Sequence, residues 1–193
     1  MPFRRIPFLA NHYYHIYNRG VNRGDIFFSP DNYIYFLQLL KKNLGRYAIS
    51  IVAYCLLHNH YHFLLKPERD NNLPLFIKSL FGSYSQAVNK QQGRQGPLFQ
   101  GRYRAIWVDE EEYLVHLARY IHLNPVTAGL VVTPQAWPYS NYLDVIGQRA
   151  GTLKDTTLVP DRFSTGDAYR QFVKDYLCYG QTIAGLEKYL LVP

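Results

Sequence analysis

The sequence predicts an α+β sandwich, with an antiparallel sheet, helices on one face of it, and a helical extension at the C-terminus. Three observations predict it. Short runs rich in Tyr, Ile, Val and Phe alternate with longer stretches whose apolar residues recur every three or four positions. Read in order, these segments run β-α-β-β-α-β-α, close to the ferredoxin-like arrangement. The 193 residues, 48% of them hydrophobic, are enough for one core and a small appendage. We divide the chain accordingly into a main domain over 1–146 and a C-terminal helical extension over 147–193.

The first strand is expected over 12–19, an aromatic, β-prone run, after a basic arm over 1–11. A turn covers 20–24. Ser29-Pro30-Asp31 opens a helix, since Ser can cap and Pro suits the first helical position. Ile34, Leu37, Leu40 and Leu44 form its apolar stripe, and Gly45 is expected to stop it. A second strand is expected over 48–57 and a third over 60–66. The two form either a hairpin turning near His58 or one long bent strand. The next helix begins at Asn72 or Leu73, with Phe76, Ile77, Leu80, Tyr84 and Val88 on one side. After a polar loop over 91–97, a strand is expected over 103–108. Asp109 then caps a helix whose first turn carries Glu110, Glu111 and Glu112, which suits its positive end. Pro125 disfavours helical geometry at Asn124, so that helix is expected to end there. Trp137 to Tyr142 reads as a packed turn, 147–166 as loop, and 166–179 and 182–190 as helices.

Lys and Arg outnumber Asp and Glu by 21 to 14, a formal charge of +7 with a pI near 9.3. An anionic partner is expected, nucleic acid first. The two cysteines, Cys55 and Cys178, have no metal-ligand spacing, which fits a reduced, cytoplasmic setting. No membrane partner is expected, because no run of 18 apolar residues occurs and no signal-peptide core follows the N-terminal arginines.

The stretch with most chemistry is Leu57-His58-Asn59-His60-Tyr61-His62-Phe63-Leu64-Leu65. Side chains two apart on a strand leave from the same face. His58, His60 and His62 are therefore expected to project together, with Asn59, Tyr61 and Phe63 opposite. Two such imidazoles can grip one metal ion; histidines buried against a sheet face are the plainer reading. Tyr120 and Asn124, four apart on a helix, share a face. Arg102 and Arg104 flank Tyr103 on a strand and are expected to leave one face.

Four motifs occur in order: Tyr17-Asn18-Arg19-Gly20, the stretch from Asn59 to Leu65, Leu98-Phe99-Gln100-Gly101-Arg102-Tyr103, and Arg119-Tyr120-Ile121-His122-Leu123-Asn124-Pro125-Val126. Together they resemble the HUH single-tyrosine transposases of bacterial insertion sequences, and within them the branch of REP-associated tyrosine transposases. The resemblance covers about residues 12–145. It implies a ferredoxin-like single-strand DNA endonuclease and strand transferase that cuts near hairpin repeats through a covalent 5′-phosphotyrosine. By position, it implies Tyr120 as nucleophile and His60, His62 and Asn124 as metal ligands. One departure is His58, where relatives usually have proline; His58 stands as a third imidazole, a DNA contact or neither.

A phosphodiester is anionic, and a metal on a non-bridging oxygen offsets the charge that develops there. Two imidazoles and an amide oxygen suit Mg²⁺ or Mn²⁺, while the ligand types alone leave zinc open. His116, one turn before Tyr120, is a candidate base for the tyrosine proton. Arg4, Arg5, Arg19, Arg23, Arg94, Arg102 and Arg104 are the candidate DNA-binding residues, through phosphate contacts. Single-stranded or hairpin DNA is the expected partner, which would place a cytoplasmic protein on the nucleoid when bound. The protein is expected to be a monomer or a homodimer. Two other readings stay open: a domesticated hairpin-binding protein that no longer cuts, and a metal-dependent phosphodiester hydrolase that uses water.

Overall fold

A computed structural model describes residues 7–151, 153 and 162–179. Arg4 and Arg5, and the helix expected over 182–190, lie outside these residues. Strand β1 (Tyr13–Arg19) is followed by α1 (Pro30–Tyr47), β2 (Ile49–Leu56), β3 (His60–Pro67), α2 (Asn72–Gln91), β4 (Arg104–Val108) and α3 (Glu111–Thr127). A one-turn helix, α4 (Tyr142–Val145), and α5 (Gly166–Tyr179) complete the described chain. The four strands form one sheet in the order β2-β3-β1-β4, every pair antiparallel. This is the α+β sandwich the element order predicts.

Alternation along β3 sorts its side chains onto two faces. Tyr61 and Phe63 point toward α1 and α2. The Tyr61 ring stacks on Phe81 of α2 with centroids 4.4 Å apart, and Phe63 lies parallel to Phe36 of α1 at 6.2 Å. Both aromatic rings of β3 are fully enclosed. His60 and His62 point to the opposite face, where α3 crosses the sheet and the His62 and Tyr120 rings meet edge to face at 5.6 Å. The sheet is thus covered by α1 and α2 on one side, but α3 crosses the other, so the helices are not confined to one face as the sequence predicts.

Several boundaries differ from expectation. Helix α1 passes through Gly45 and ends at Tyr47, where Ala48 takes a left-handed conformation and returns its N–H to the Leu44 carbonyl. Its buried face is Tyr33, Phe36, Leu40 and Leu44, whereas Ile34 is half exposed. Tyr33 takes the place expected for Ile34, since its larger ring buries more surface, while Leu40 and Leu44 are buried as expected. Helix α3 begins at Glu111, so the N-cap is Glu110, without a side-chain cap bond, rather than the expected Asp109. The helix also runs through Pro125. Proline removes one N–H from the ladder, but the Ala128 N–H closes the next turn on the Asn124 carbonyl at 2.9 Å. Asn124 is therefore inside the helix, and the C-cap is Ala128.

The pairing of β2 with β3 resolves the hairpin question. Its turn is closed by the Leu57 N–H on the His60 carbonyl at 2.8 Å. The His58 carbonyl accepts from both Ile26 and Phe27 N–H groups, at 2.7 and 3.0 Å. These bonds hold His58 out of the strand ladder. Gly20 is required at the end of β1, because a Cβ there would collide with the Gly24 carbonyl oxygen.

The turn around Trp137 to Tyr142 is packed as expected, with Trp137, Ser140, Asn141 and Tyr142 buried. Asn141 repairs a bulge in β2 near Val52. It accepts from the Tyr54 N–H at 2.7 Å and donates to the Val52 carbonyl at 2.9 Å. Helix α5 packs on the outer side of α3 in a second cluster containing Leu123, Tyr142, Ile146, Tyr169 and Val173. Arg119 of α3 is held between Phe172 and Tyr176, its guanidinium carbon 4.4 and 4.2 Å from the ring centroids. Among the described residues no helix is long and apolar enough to cross a membrane.

Candidate functional site

The site lies where the hairpin end of β3 meets the last two turns of α3. Four-residue spacing puts Tyr120 and Asn124 on the sheet-facing side of that helix. The Asn124 Oδ1 comes within 3.1 Å of the His60 Nε2, and the His60 and His62 rings stand perpendicular with centroids 5.3 Å apart. A cavity of about 300 Å³ opens over them, lined by Arg19, Arg23, Asn59, His60, Tyr120 and Asn124, with Thr127 and Ala128 at its edge. The residues named in sequence as nucleophile and ligands are therefore brought together, with two arginines beside them.

His62 is fully enclosed and lies beneath the cavity rather than on its wall. Its Nδ1 is 3.0 Å from the Nε2 of His15 on β1, and its Nε2 is buried without a hydrogen-bond partner. Burial holds the His62 ring well below the usual histidine range, and positive charge on His15 or His60 would push it further down. Burial also lowers His60; the Asn124 amide oxygen, which favours the protonated ring, offsets part of this, and Arg19 and His58 add to the lowering. Both rings are thus kept neutral, the form that binds metal.

Other predicted residues are placed differently. His58 is exposed in the turn, with its Nδ1 3.1 Å from the Tyr33 hydroxyl and its ring edge-on to Trp137. It does not share the face of His60 and His62, because the turn backbone is pinned by residues 26 and 27. Asn59 does not point away from His60. It sits in the same turn, with its Oδ1 2.7 Å from the His60 Nδ1. His116 packs against Phe172 at 5.1 Å and is absent from the walls of the Tyr120 cavity. Burial and the neighbouring Arg119 push it down to about 4.

The arginines separate into groups. Arg19 and Arg23 line the cavity, and the Arg19 Nε donates to Gln100 Oε1 at 2.8 Å. Arg104 pairs with Tyr17 across the β1–β4 ladder and so lies on the histidine face. Arg102 precedes β4 rather than alternating within it. It lines a separate 220 Å³ cavity against α2, with Lys78, Phe81 and Phe99. Arg94 is seated over Phe28, 5.7 Å from its centroid.

Sequence reasoning missed His15 and Gln100. The alternation that groups His60 with His62 also groups His15 with Tyr17, but only the pairing of Tyr17 with His62 brings the β1 histidine to the site. Gln100 reaches Arg19 because its own N–H bonds the Arg19 carbonyl at 2.8 Å.

Among the described residues no three His, Cys, Asp or Glu side chains gather as a metal centre. The donor set on offer is two imidazoles and an amide oxygen. It fits a divalent cation on two observations. The His62 Nε2 is an orphaned polar atom, which costs about 1–3 kcal/mol unless something occupies it. The His60 Nε2 and Asn124 Oδ1 also converge at hydrogen-bond distance.

Known proteins resemble the chain in sequence and in fold. A Haemophilus influenzae protein provisionally named as a REP-associated tyrosine transposase is 28% identical over 117 residues, which span 55% of this chain and 66% of that protein. The solved structure of a REP-associated tyrosine transposase bound to a REP hairpin superposes with a TM-score of 0.66 at 19% identity, covering 80% of this chain and 94% of that one. At that identity the superposition speaks for the shared fold. Residues 8–124, from the strap before β1 to Asn124, match the family described as IS200-like transposases, and the chain belongs to that family.

Proposed function

We propose that the protein is a metal-dependent single-strand DNA endonuclease and strand transferase that acts beside hairpin repeats. One observation carries the reading: Tyr120 and Asn124 on one face of α3 meet His60 and His62 of β3 beneath an arginine-lined cavity. The related protein bound to a REP hairpin supports hairpin DNA as partner.

In this reading Tyr120 Oη attacks the scissile phosphorus and the bond to the 3′ oxygen breaks. The tyrosine gives up its proton and the leaving oxygen gains one as a free 3′-OH, while the 5′ phosphate stays on Tyr120. Attack by a 3′-OH reverses the step, so rejoining needs no nucleotide cofactor. His60, His62 and Asn124 would hold Mg²⁺ or Mn²⁺, which supplies charge neutralisation at the phosphate. Arg19, directed by Gln100, and Arg23 hold the phosphate backbone in the cavity. Arg104 extends this contact along the histidine face. The chain beyond 146 is an extension whose α5 braces α3 from behind. A cytoplasmic location on the nucleoid follows from the substrate.

The test is a denaturing gel of protein with labelled single-stranded hairpin DNA and Mg²⁺. A covalent protein–DNA band that vanishes in Tyr120→Phe is expected. Cleavage that persists in Tyr120→Phe would assign the chemistry to water instead. Absence of cleavage by the wild type across several hairpin substrates and both metals would leave a binding protein.

A further inference from the structure

We propose that Asn59 and His15 are positioning residues that lock His60 and His62 in the one tautomer able to bind metal. The inference rests on the metal-dependent reading above and concerns two residues that it does not count among the metal ligands.

A neutral imidazole has one N–H and one lone pair, and the partner of one nitrogen decides the state of the other. At His60 the decision comes from Asn59. The Asn59 amide is oriented by its own Nδ2, which donates to the Arg23 carbonyl at 3.1 Å. Its Oδ1 is thereby turned to the His60 Nδ1 at 2.7 Å. An oxygen can only accept, so Nδ1 carries the proton and Nε2 the lone pair. That lone pair faces the Asn124 Oδ1 at 3.1 Å, another acceptor. Two acceptors turned to one point form a site for a cation. The Arg23 carbonyl that orients Asn59 belongs to a tight turn in which Asn22 and Arg23 both have positive φ.

At His62 the decision comes from His15. Both rings are fully buried, and the His15 Nε2 lies 3.0 Å from the His62 Nδ1. If His62 Nδ1–H donates to His15, the His62 Nε2 presents a lone pair. The reverse arrangement would leave an N–H at Nε2, buried with nothing to receive it. A lone pair there instead awaits a metal. One ligand is thus set by the residue before it in the turn, and the other by a residue 47 positions away on the neighbouring strand. In metal sites, loss of such outer partners typically weakens binding by about 10- to 100-fold.

The experiment is titration of the full chain with Mn²⁺ alone, following free Mn²⁺ by electron paramagnetic resonance. His15→Phe keeps a buried ring but has no acceptor, and its Mn²⁺ affinity should fall by about 10- to 100-fold. His15→Gln places an amide oxygen near the same point and should restore affinity to within a few-fold of wild type. Asn59→Leu should weaken Mn²⁺ binding similarly, and Asn59→Asp, which still accepts from Nδ1–H, should retain it. Circular dichroism checks the fold of each variant. Should His15→Phe fail to fold, Asn59→Leu in the half-exposed turn carries the test by itself. Wild-type affinity in folded His15→Phe and Asn59→Leu overturns the inference, as does a His15→Gln as weak as His15→Phe. His60→Ala separates this from the reading beneath it. If wild type shows no Mn²⁺ binding that His60→Ala removes, the metal reading fails and the inference falls with it.

Discussion

His62 and His122 are both completely enclosed imidazoles, and both are held below the usual histidine range chiefly by burial. They differ in what their second nitrogen meets. His122 on α3 has both nitrogens satisfied: Nε2–H donates to Asn141 Oδ1 at 3.0 Å, and Nδ1 accepts from the Tyr169 hydroxyl at 2.8 Å. It ties α3 to the β2 bulge on one side and to α5 on the other. His62 has one partner, His15, and a bare Nε2 under the cavity. Burial and a lowered pKa are therefore common to both rings, and what sets His62 apart from His122 is a buried nitrogen with no hydrogen-bond partner. A complete hydrogen-bond set identifies His122 as a brace, although it stands in the same motif as Tyr120.

Mutation should separate the two most sharply. His62→Ala is expected to reduce hairpin DNA cleavage by about a thousand-fold or more, equivalent to several kcal/mol of lost charge stabilisation. Hairpin affinity in a gel-shift assay should stay within a few-fold, since it comes mainly from phosphate contacts. Parallel loss of cleavage and affinity in folded protein would erase the distinction.

Acid should act through the brace. Burial pushes His122 down to about 4, against partial support for the charged ring from Asn141 and Asp144. The unfolded chain takes up its proton near pH 6.5, before the folded state does. The stability tied to neutral His122 is therefore present above about pH 6.5 and lost progressively as pH falls to 4. At about 1.4 kcal/mol per unit, this amounts to roughly 3 kcal/mol. Urea denaturation at several pH values measures it, and His122→Leu should flatten the slope. An unchanged slope in that variant would assign the acid sensitivity to His62 or His116.

At neutral pH, His122→Leu itself should cost about 1–3 kcal/mol, because it strands the buried Tyr169 hydroxyl. Cleavage per folded molecule at low temperature should remain within a few-fold of wild type. Loss of Mn²⁺ binding in folded His122→Leu would show that the brace belongs to the metal site after all.

The smallest expected effect concerns Asn124. Asn124→Asp should lower the Mg²⁺ midpoint of cleavage several-fold, because a carboxylate binds a hard cation more tightly than an amide. Asn124 lies inside the helix, whose C-cap is Ala128, so a capping role does not compete with this one. Identical midpoints in the two proteins would take Asn124 out of the ligand set.

The elements and their order were legible in the sequence because they follow from local periodicity. Apolar residues at helical spacing form α1 and α2, and the β-branched and aromatic runs form the strands. Tyr120 and Asn124 could be placed on one face of a helix by spacing alone, and His60 with His62 on one face of a strand. Boundaries were less legible wherever a distant bond outweighed a local signal. Gly45 and Pro125 are ordinary stop signals, yet both helices continue through them because the following turns still close on Leu44 and Asn124. His58 looked like a third member of the histidine row until Ile26 and Phe27 pinned its carbonyl and pulled the turn out of the ladder.

By itself, then, the sequence determined the fold class and the basic charge, and the resemblance carried by its four motifs supplied the nucleophile, histidine and amide candidates. The first two depend on residue type and local periodicity, the last on motifs that occur in order along the chain. Tertiary structure decided which groups surround them. The β1–β3 register sets His15 behind His62, the Arg23 turn orients Asn59 toward His60, and α5 packs Arg119 and His122 of the Tyr120 motif as braces. Contacts between residues tens of positions apart depend on strand register and helix docking, and neither is written in any local window of the chain.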